Sequence, residues 1–131
     1  NVYCGVNDCL IEKSTKKLIL GCKNSIIPTN GSVTRIEDYA FACCIGLTSI
    51  TIPNGVSDIG TFAFAACGDL TSITIPSSIA NIETFVFLAC ESLTNVVFEG
   101  TKEQWAEIYK DDLFAETQVS AVKCSDGEFE I

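Results

Sequence analysis

Three consecutive stretches, VTRIEDYAFACCIGLTSITIPNG (33–55), VSDIGTFAFAACGDLTSITIPSS (56–78) and IANIETFVFLACESLTNVVFEGT (79–101), repeat one residue pattern at a period of 23 without a gap. A fixed period of this length means that each block is a single supersecondary unit unable to bury its own apolar face, so neighbouring blocks stack into a continuous one-dimensional core. The reading is a repeat solenoid, with every apolar position forming a buried column along the stack.

Within the first block the apolar residues Val33, Ile36, Ala40, Phe41, Cys44 and Leu47 are spaced by three and four, which predicts a helical turn or short helix. From Leu47 the period changes. Ile50 and Ile52 flank Thr51 in the alternation of a β-strand, and Pro53 stops it. The same columns are held by Ile59, Phe64, Cys67, Leu70, Ile73 and Ile75, and then by Ile82, Phe87, Cys90, Leu93, Val96 and Phe98.

The flanks read as caps. The apolar runs 9–12 and 17–21, separated by Lys13, Ser14, Thr15 and Lys16, predict a hairpin closing the N-terminal end, and Ile26, Ile27 and Pro28 look like the strand end of a degenerate repeat. Thr101 followed three residues later by Gln104 is a capping-box signature that opens a helix with Trp105, Ile108 and Tyr109 on one face, Trp105 serving as a lid. Val119, Val122 and Cys124 repeat the spacing of Leu93, Val96 and Phe98, so a last irregular coil is expected before Ser125, Asp126 and Gly127 turn the chain. The domain organisation is one domain over 1–131: an N-terminal cap with a partial repeat (1–32), three full repeats (33–55, 56–78, 79–101) and a C-terminal cap (102–131).

Composition narrows the function classes. With 131 residues, 47% of them hydrophobic, the chain can bury a core and is not a disordered tail. No apolar run reaches the roughly 18 residues of a membrane helix, so no membrane insertion is expected. The chain begins at Asn1 with neither a basic nor an apolar leader region, which suggests a processed chain or part of a longer one. The net charge is −9, and Arg35 is the last basic residue before Lys102 while seven carboxylates lie between them. Such an acidic array repels phosphate backbones, so nucleic acid is an improbable partner. There is no histidine, and no GxxxxGKS, GxSxG or GxGxxG sequence. The acidic residues change position from block to block, so no acid and base converge as a glycosidase needs. No enzyme activity, cofactor or metal is expected.

Eight cysteines in a chain of this size would ordinarily suggest a disulfide framework. Position argues otherwise for Cys44, Cys67 and Cys90, which stand 23 apart in a core column where a free thiol acts as a small hydrophobe. Single stacked cysteines without CxxC or histidine cannot build a tetrahedral zinc shell. Cys43 must point elsewhere than Cys44. Disulfides among Cys4, Cys9, Cys22 and Cys124 stay open, with Cys4 to Cys9 the favoured bridge.

The pattern VxxIxxYAFxxCxxLTSITIPxx, with AF, C, L and ITIP at fixed offsets across all three blocks, resembles the BspA-like leucine-rich repeats found in surface proteins of bacteria and some protists. The third block departs from it, with Val86 in place of alanine and VVFEG in place of ITIPN, as drift at the end of an array. The resemblance implies an α/β repeat fold: a right-handed leucine-rich-repeat solenoid with a parallel β-sheet on one face and short helices or turns on the other, closed by a hairpin N-cap and a helical C-cap. It also implies a secreted or cell-surface location and a role in adhesion. On the sheet, the residues between the buried isoleucines point to solvent in two rows, Ser49, Ser72, Asn95 and Thr51, Thr74, Val97. They form a flat, uncharged, hydrogen-bonding platform, the candidate ligand-binding face for a protein or glycan, host-derived ones included, on an expected monomer. The alternative is a structural spacer or stalk with no ligand of its own.

Overall fold

The computed structural model describes residues 3–131. Two columns of short strands run the length of the molecule. One sheet has the order β1 (Tyr3–Val6), β2 (Cys9–Glu12), β3 (Lys17–Leu20), β4 (Arg35–Ile36), β6 (Asp58–Ile59), β8 (Asn81–Ile82) and β10 (Tyr109–Lys110). The other, read from its opposite end, places β12 (Gly127–Glu130) beside β11 (Ala121–Cys124), then β9 (Asn95–Phe98), β7 (Ser72–Ile75) and β5 (Ser49–Thr51). The pairings from β3 to β10 and from β5 to β11 are parallel, the arrangement of a β-solenoid of about four turns. Pairing partners in the repeats lie 23 residues apart, as in Ile36 with Ile59, Ile59 with Ile82, Ile50 with Ile73 and Ile73 with Val96.

The strand half of each repeat forms where the alternation predicts it: Ile50, Ile73 and Val96 are buried and their neighbours face outward. The helical half does not form. Its beginning is a second parallel sheet of two-residue strands, and its middle is a series of turns bracketed by left-handed residues, Tyr39 and Cys43, Phe62 and Ala66, Phe85 and Ala89, all with φ between 57° and 62°. A left-handed residue every four positions breaks the i to i−4 ladder of a helix. The amides instead bond to the next coil: Tyr39 N donates to Thr61 O at 3.0 Å, Phe41 N to Ala63 O at 2.7 Å and Cys43 N to Ala65 O at 2.8 Å. The three-and-four spacing of apolar residues therefore reflects a turn folded over the core.

Between the sheets lies a single apolar core in which equivalent side chains touch along the stack. The rings of Phe41 and Phe64 stack at 4.9 Å, Phe64 and Phe87 at 5.8 Å, and Phe87 and Phe114 at 6.0 Å. Phe41, Phe64 and Phe87 are wholly buried. Such offset aromatic contacts add to the burial itself.

Both ends are closed by other means. At the N-terminus β2 and β3 form the predicted hairpin, extended by β1, and Lys17 and Leu18 pair in parallel with Arg35 and Ile36. Ile27 and Pro28 are buried but form no strand. At the other end Thr101 and Gln104 make the reciprocal capping box, and it opens a short helix, α1 (Lys102–Glu107). Trp105 is buried against Phe98 with the ring centroids 5.2 Å apart, as a lid requires. Tyr109 does not share its face: the helix has ended before it, and it lies exposed in β10. Val122 pairs with Val96, and Ser125 and Asp126 turn the chain into β12.

Phe64→Ala opens a cavity in the middle of the ring stack, where Phe41 and Phe87 hold both neighbours in place. It should cost about 3–5 kcal/mol in urea-induced unfolding, whereas a loss under about 1 kcal/mol would overturn the assignment of the ladder as the core.

Candidate functional site

The candidate face is built by the alternation of β5, β7 and β9. Burial of Ile50, Ile73 and Val96 on one side forces the residues before and after them to the other. The registers Ser49–Ser72–Asn95 and Thr51–Thr74–Val97 bring all six predicted residues together in two straight rows. Ser49 and Thr51 are exposed, and the other four are half-buried. Within the first row Asn95 Nδ2 donates to Ser72 Oγ at 2.9 Å, and Asn95 Oδ1 is buried without a hydrogen-bond partner.

The face is not uncharged throughout. Beyond Val97 the second row continues to Lys123 and then to Glu128 of β12, with Glu130 beside Ala121. The platform is thus neutral over β5, β7 and β9 and charged at its C-terminal edge. A cavity of about 190 Å³ borders the opposite edge, between Ser25–Ile27 and Ser49–Thr51. A larger one, about 420 Å³, lies away from both rows at the C-terminal cap, lined by Trp105, Lys110, Leu113, Phe114, Val119 and Phe129 among others. There Lys110 Nζ donates to the carbonyls of Trp105 and Ile108 at 2.7 and 3.1 Å and stands 5.0 Å from the indole centroid, and burial pushes its ammonium below the usual lysine range.

The other sheet carries the charge that sequence reasoning left undistributed. Arg35 Nε donates to Glu37 at 2.6 Å, its Nη2 to Asp38 at 3.2 Å and its Nη1 to Glu83, two coils away, at 3.2 Å. Thr61 N and Oγ1 also donate to Glu83. Gly60 makes this convergence possible, because a Cβ there would stand 2.6 Å from the backbone nitrogen of Asp38. Partial burial works to raise the Glu83 carboxyl, but the donors Arg35 and Thr61 outweigh it and hold it below the usual range. Asp58 is likewise held down, partial burial being outweighed by donation from Ser57 and Asn81 and by the charge of Arg35. The signal for this cluster was the single basic residue of the array, but its partners are set by the coil register. An outer ring row, Tyr39–Phe62–Phe85 at 5.3 and 5.5 Å, also escaped the sequence reading.

The cysteine column is as expected at Cys67 and Cys90, which are buried free thiols donating to Phe41 O and Phe64 O, each at 3.0 Å. The Cys90 contact and burial push the Cys67 thiol up. Cys44 is half-buried and its thiol is pushed up to about 11, mainly by burial. Cys43 is exposed, turned away from Cys44 as expected. Cys9 is a free thiol, contrary to the Cys4–Cys9 bridge, whose Cys4 side chain lies outside the described residues. Cys22 and Cys124 are free as well. Among the described residues no group of three or more His, Cys, Asp or Glu side chains is arranged to hold a metal ion.

Residues 15–131 match the family model of the BspA type leucine-rich repeat region, in six copies. No curated protein matches the chain. Among solved structures it is similar to a leucine-rich repeat protein from Bacteroides capillosus, with 22% identity, a TM-score of 0.78, and coverage of 95% of this chain and 99% of the other. It is similar to the pneumococcal vaccine antigen PcpA at 20% identity and TM-score 0.69, covering 94% of this chain and 30% of that one. A leucine-rich cell surface protein from Faecalibacterium prausnitzii matches at 25% identity and TM-score 0.54, over 85% of this chain and 43% of the other.

Glu83 and Asp58 have folded-state carboxyls below their ordinary values of 4.5 and 3.8, so their contribution to stability is present above those values and is lost as the pH falls through and below them. Removing the cation returns them toward ordinary values. Arg35→Met should therefore lower Tm by about 2–5 °C at pH 7, with the gap to the parent closing toward pH 3. A gap of equal size at both pH values would show that Arg35 acts through packing instead.

Proposed function

Because the chain belongs to the BspA-type leucine-rich repeat family, we propose that it is a non-catalytic module of a secreted or cell-surface protein that binds a protein or glycan through its β5–β7–β9 face. The observation that carries this reading is the register of the two outward rows, which sets Ser49, Ser72 and Asn95 beside Thr51, Thr74 and Val97 on one rigid surface. Rows of hydroxyl and amide groups on a parallel sheet repeat at about 4.8 Å, and they offer both donors and acceptors without charge. A backbone held by two sheets needs no ordering when a ligand arrives, which favours recognition by a small surface. The name of the Faecalibacterium relative supports the surface location.

Size sets the expected strength. Three strands at about 4.8 Å, each exposing about 13 Å of length, offer a face of ~190 Å² in projection, against about 800 Å² per partner in a standard interface. A single copy therefore binds weakly, as a monomer, and gains strength when several copies engage one ligand. The larger relatives, of which this chain spans 30% and 43%, have room for such repetition.

The test is binding of the purified chain to a panel of extracellular-matrix proteins and glycans, with the double variant Ser72→Arg, Thr74→Arg beside it. Both positions face outward, and Ser72→Arg removes only the acceptor of Asn95 Nδ2, so Tm should fall by no more than about 5 °C while affinity falls at least about tenfold. Retained affinity in the variant would remove the sheet face from the reading. Absence of binding by either protein would favour a spacer that holds other domains away from the surface.

A further inference from the structure

Two thiols that the cysteine ladder does not use converge at the N-terminal cap. The β2–β3 ladder pairs Leu10 with Leu20, so Cys9 and Cys22 sit just beyond the last paired residues of adjacent chain segments. The segment 25–26 touches both: Ser25 Oγ accepts from Cys22 N at 2.7 Å and stands 3.8 Å from Cys22 Sγ, and the carbonyl of Ile26 accepts from Cys9 Sγ at 3.7 Å. Ser25 is itself buried, and its Oγ donates to Asp8 O at 2.6 Å. Both cysteines line one cavity of about 400 Å³ with Asp8, Leu10, Leu20 and Gly21.

The partners of these thiols differ from those along the stack. Cys67 and Cys90 reach carbonyls at 3.0 Å, whereas Cys9 Sγ has only the long contacts to Asn7 O and Ile26 O at 3.6 and 3.7 Å, and Cys22 Sγ only those to Asp8 O and Ser25 Oγ, each at 3.8 Å. Cys9 is buried and Cys22 exposed. Cys44 also approaches, through Sγ to Gly21 O at 3.7 Å, but from the core column and without a contact to Ser25.

We propose that Cys9 and Cys22 are a disulfide site, closed by an external disulfide oxidant, that staples the capping hairpin to the segment carrying Ser25. The exposed Cys22 thiolate attacks the oxidant, forming a mixed disulfide and releasing one thiol. Cys9 then loses its proton and attacks Cys22 Sγ, expelling the second thiol, so two protein thiols are oxidised as one external disulfide is reduced to two thiols. Burial pushes the Cys9 thiol up, which assigns first attack to Cys22. The staple closes a loop over the turn 13–16 and fixes Ser25–Ile27, which border Ser49 and Thr51 at the edge of the other sheet.

The test is oxidation of the full chain with oxidised glutathione, followed by tryptic mapping without reduction. Cleavage after Lys13, Lys16 and Lys17 separates Cys9 from Cys22, and Cys4 shares the Cys9 peptide, so Cys9→Ser decides between those two. The expected product links the peptides of Cys9 and Cys22, disappears in Cys9→Ser and in Cys22→Ser, and raises Tm by about 5–10 °C over the reduced chain. Because Cys22 is exposed, Cys22→Ser should fold normally and lose the Tm difference. A link from Cys22 to Cys44 or to Cys4, or glutathione left on Cys22 with no internal bond, would overturn the proposal.

Discussion

The structure depends on in-register contact between residues 23 positions apart. Each coil offers its neighbour the same side chains at the same heights, so Phe41 meets Phe64, Phe64 meets Phe87, and the backbone amides of one turn meet the carbonyls of the next. This demand outranks local preference. Non-glycine residues in the left-handed region are disfavoured by roughly 1 kcal/mol or more each, yet Tyr39, Cys43, Phe62, Ala66, Phe85 and Ala89 all adopt it. The inter-coil bonds from Tyr39, Phe41 and Cys43 form only in that conformation, and they recur at Phe62, Phe64 and Ala66, so the strain at one coil is offset by contacts with the next.

The same constraint explains which parts of the fold were legible in the sequence. The Ser49–Thr51 strand and its equivalents alternate over several residues, and Pro53 and Pro76 mark their ends, so period two identified them. The second sheet is built of pairs such as Arg35–Ile36, too short to show any period. Its presence follows only from the closure of each coil. The spacing of Ile36, Ala40, Phe41 and Cys44 mimics a helix because a turn folded over a core also buries residues three and four apart, and nothing local marks Tyr39 or Cys43 as left-handed. The capping box at Thr101 was legible because both of its bonds lie within four residues.

A stack must also end. After the third repeat, α1 shifts the register, so that Tyr109 pairs with Asn81, 28 residues back, and Val122 with Val96, 26 residues back. Phe114 still reaches Phe87, so the ring ladder survives the insertion that breaks the sequence period. The last strand of the β5-side sheet, β12, then runs antiparallel and sets Glu128 opposite Lys123. Charged residues on an edge strand discourage pairing with a further chain.

The distribution of charge separates the two faces. On the β4–β6–β8 side, Arg35 is wrapped by Glu37, Asp38 and Glu83, so its charge is engaged across three coils and, with Asp58, the balance there stays negative. On the β5–β7–β9 side, core packing requires only that Ser49, Thr51, Ser72, Thr74, Asn95 and Val97 tolerate an exposed strand, and their polar groups are committed to one another only at Ser72 and Asn95. The core therefore fixes where these rows lie but leaves their chemistry free. That is why the sequence located the rows but no partner for them: the repeat dictates their positions and leaves their side-chain chemistry unconstrained. Arg35 is already engaged by carboxylates and leaves its face net negative, whereas Ser49, Thr51 and Thr74 keep hydroxyls that no described neighbour engages, and this difference is the ground for proposing the β5–β7–β9 face for a neutral, hydrogen-bonding ligand.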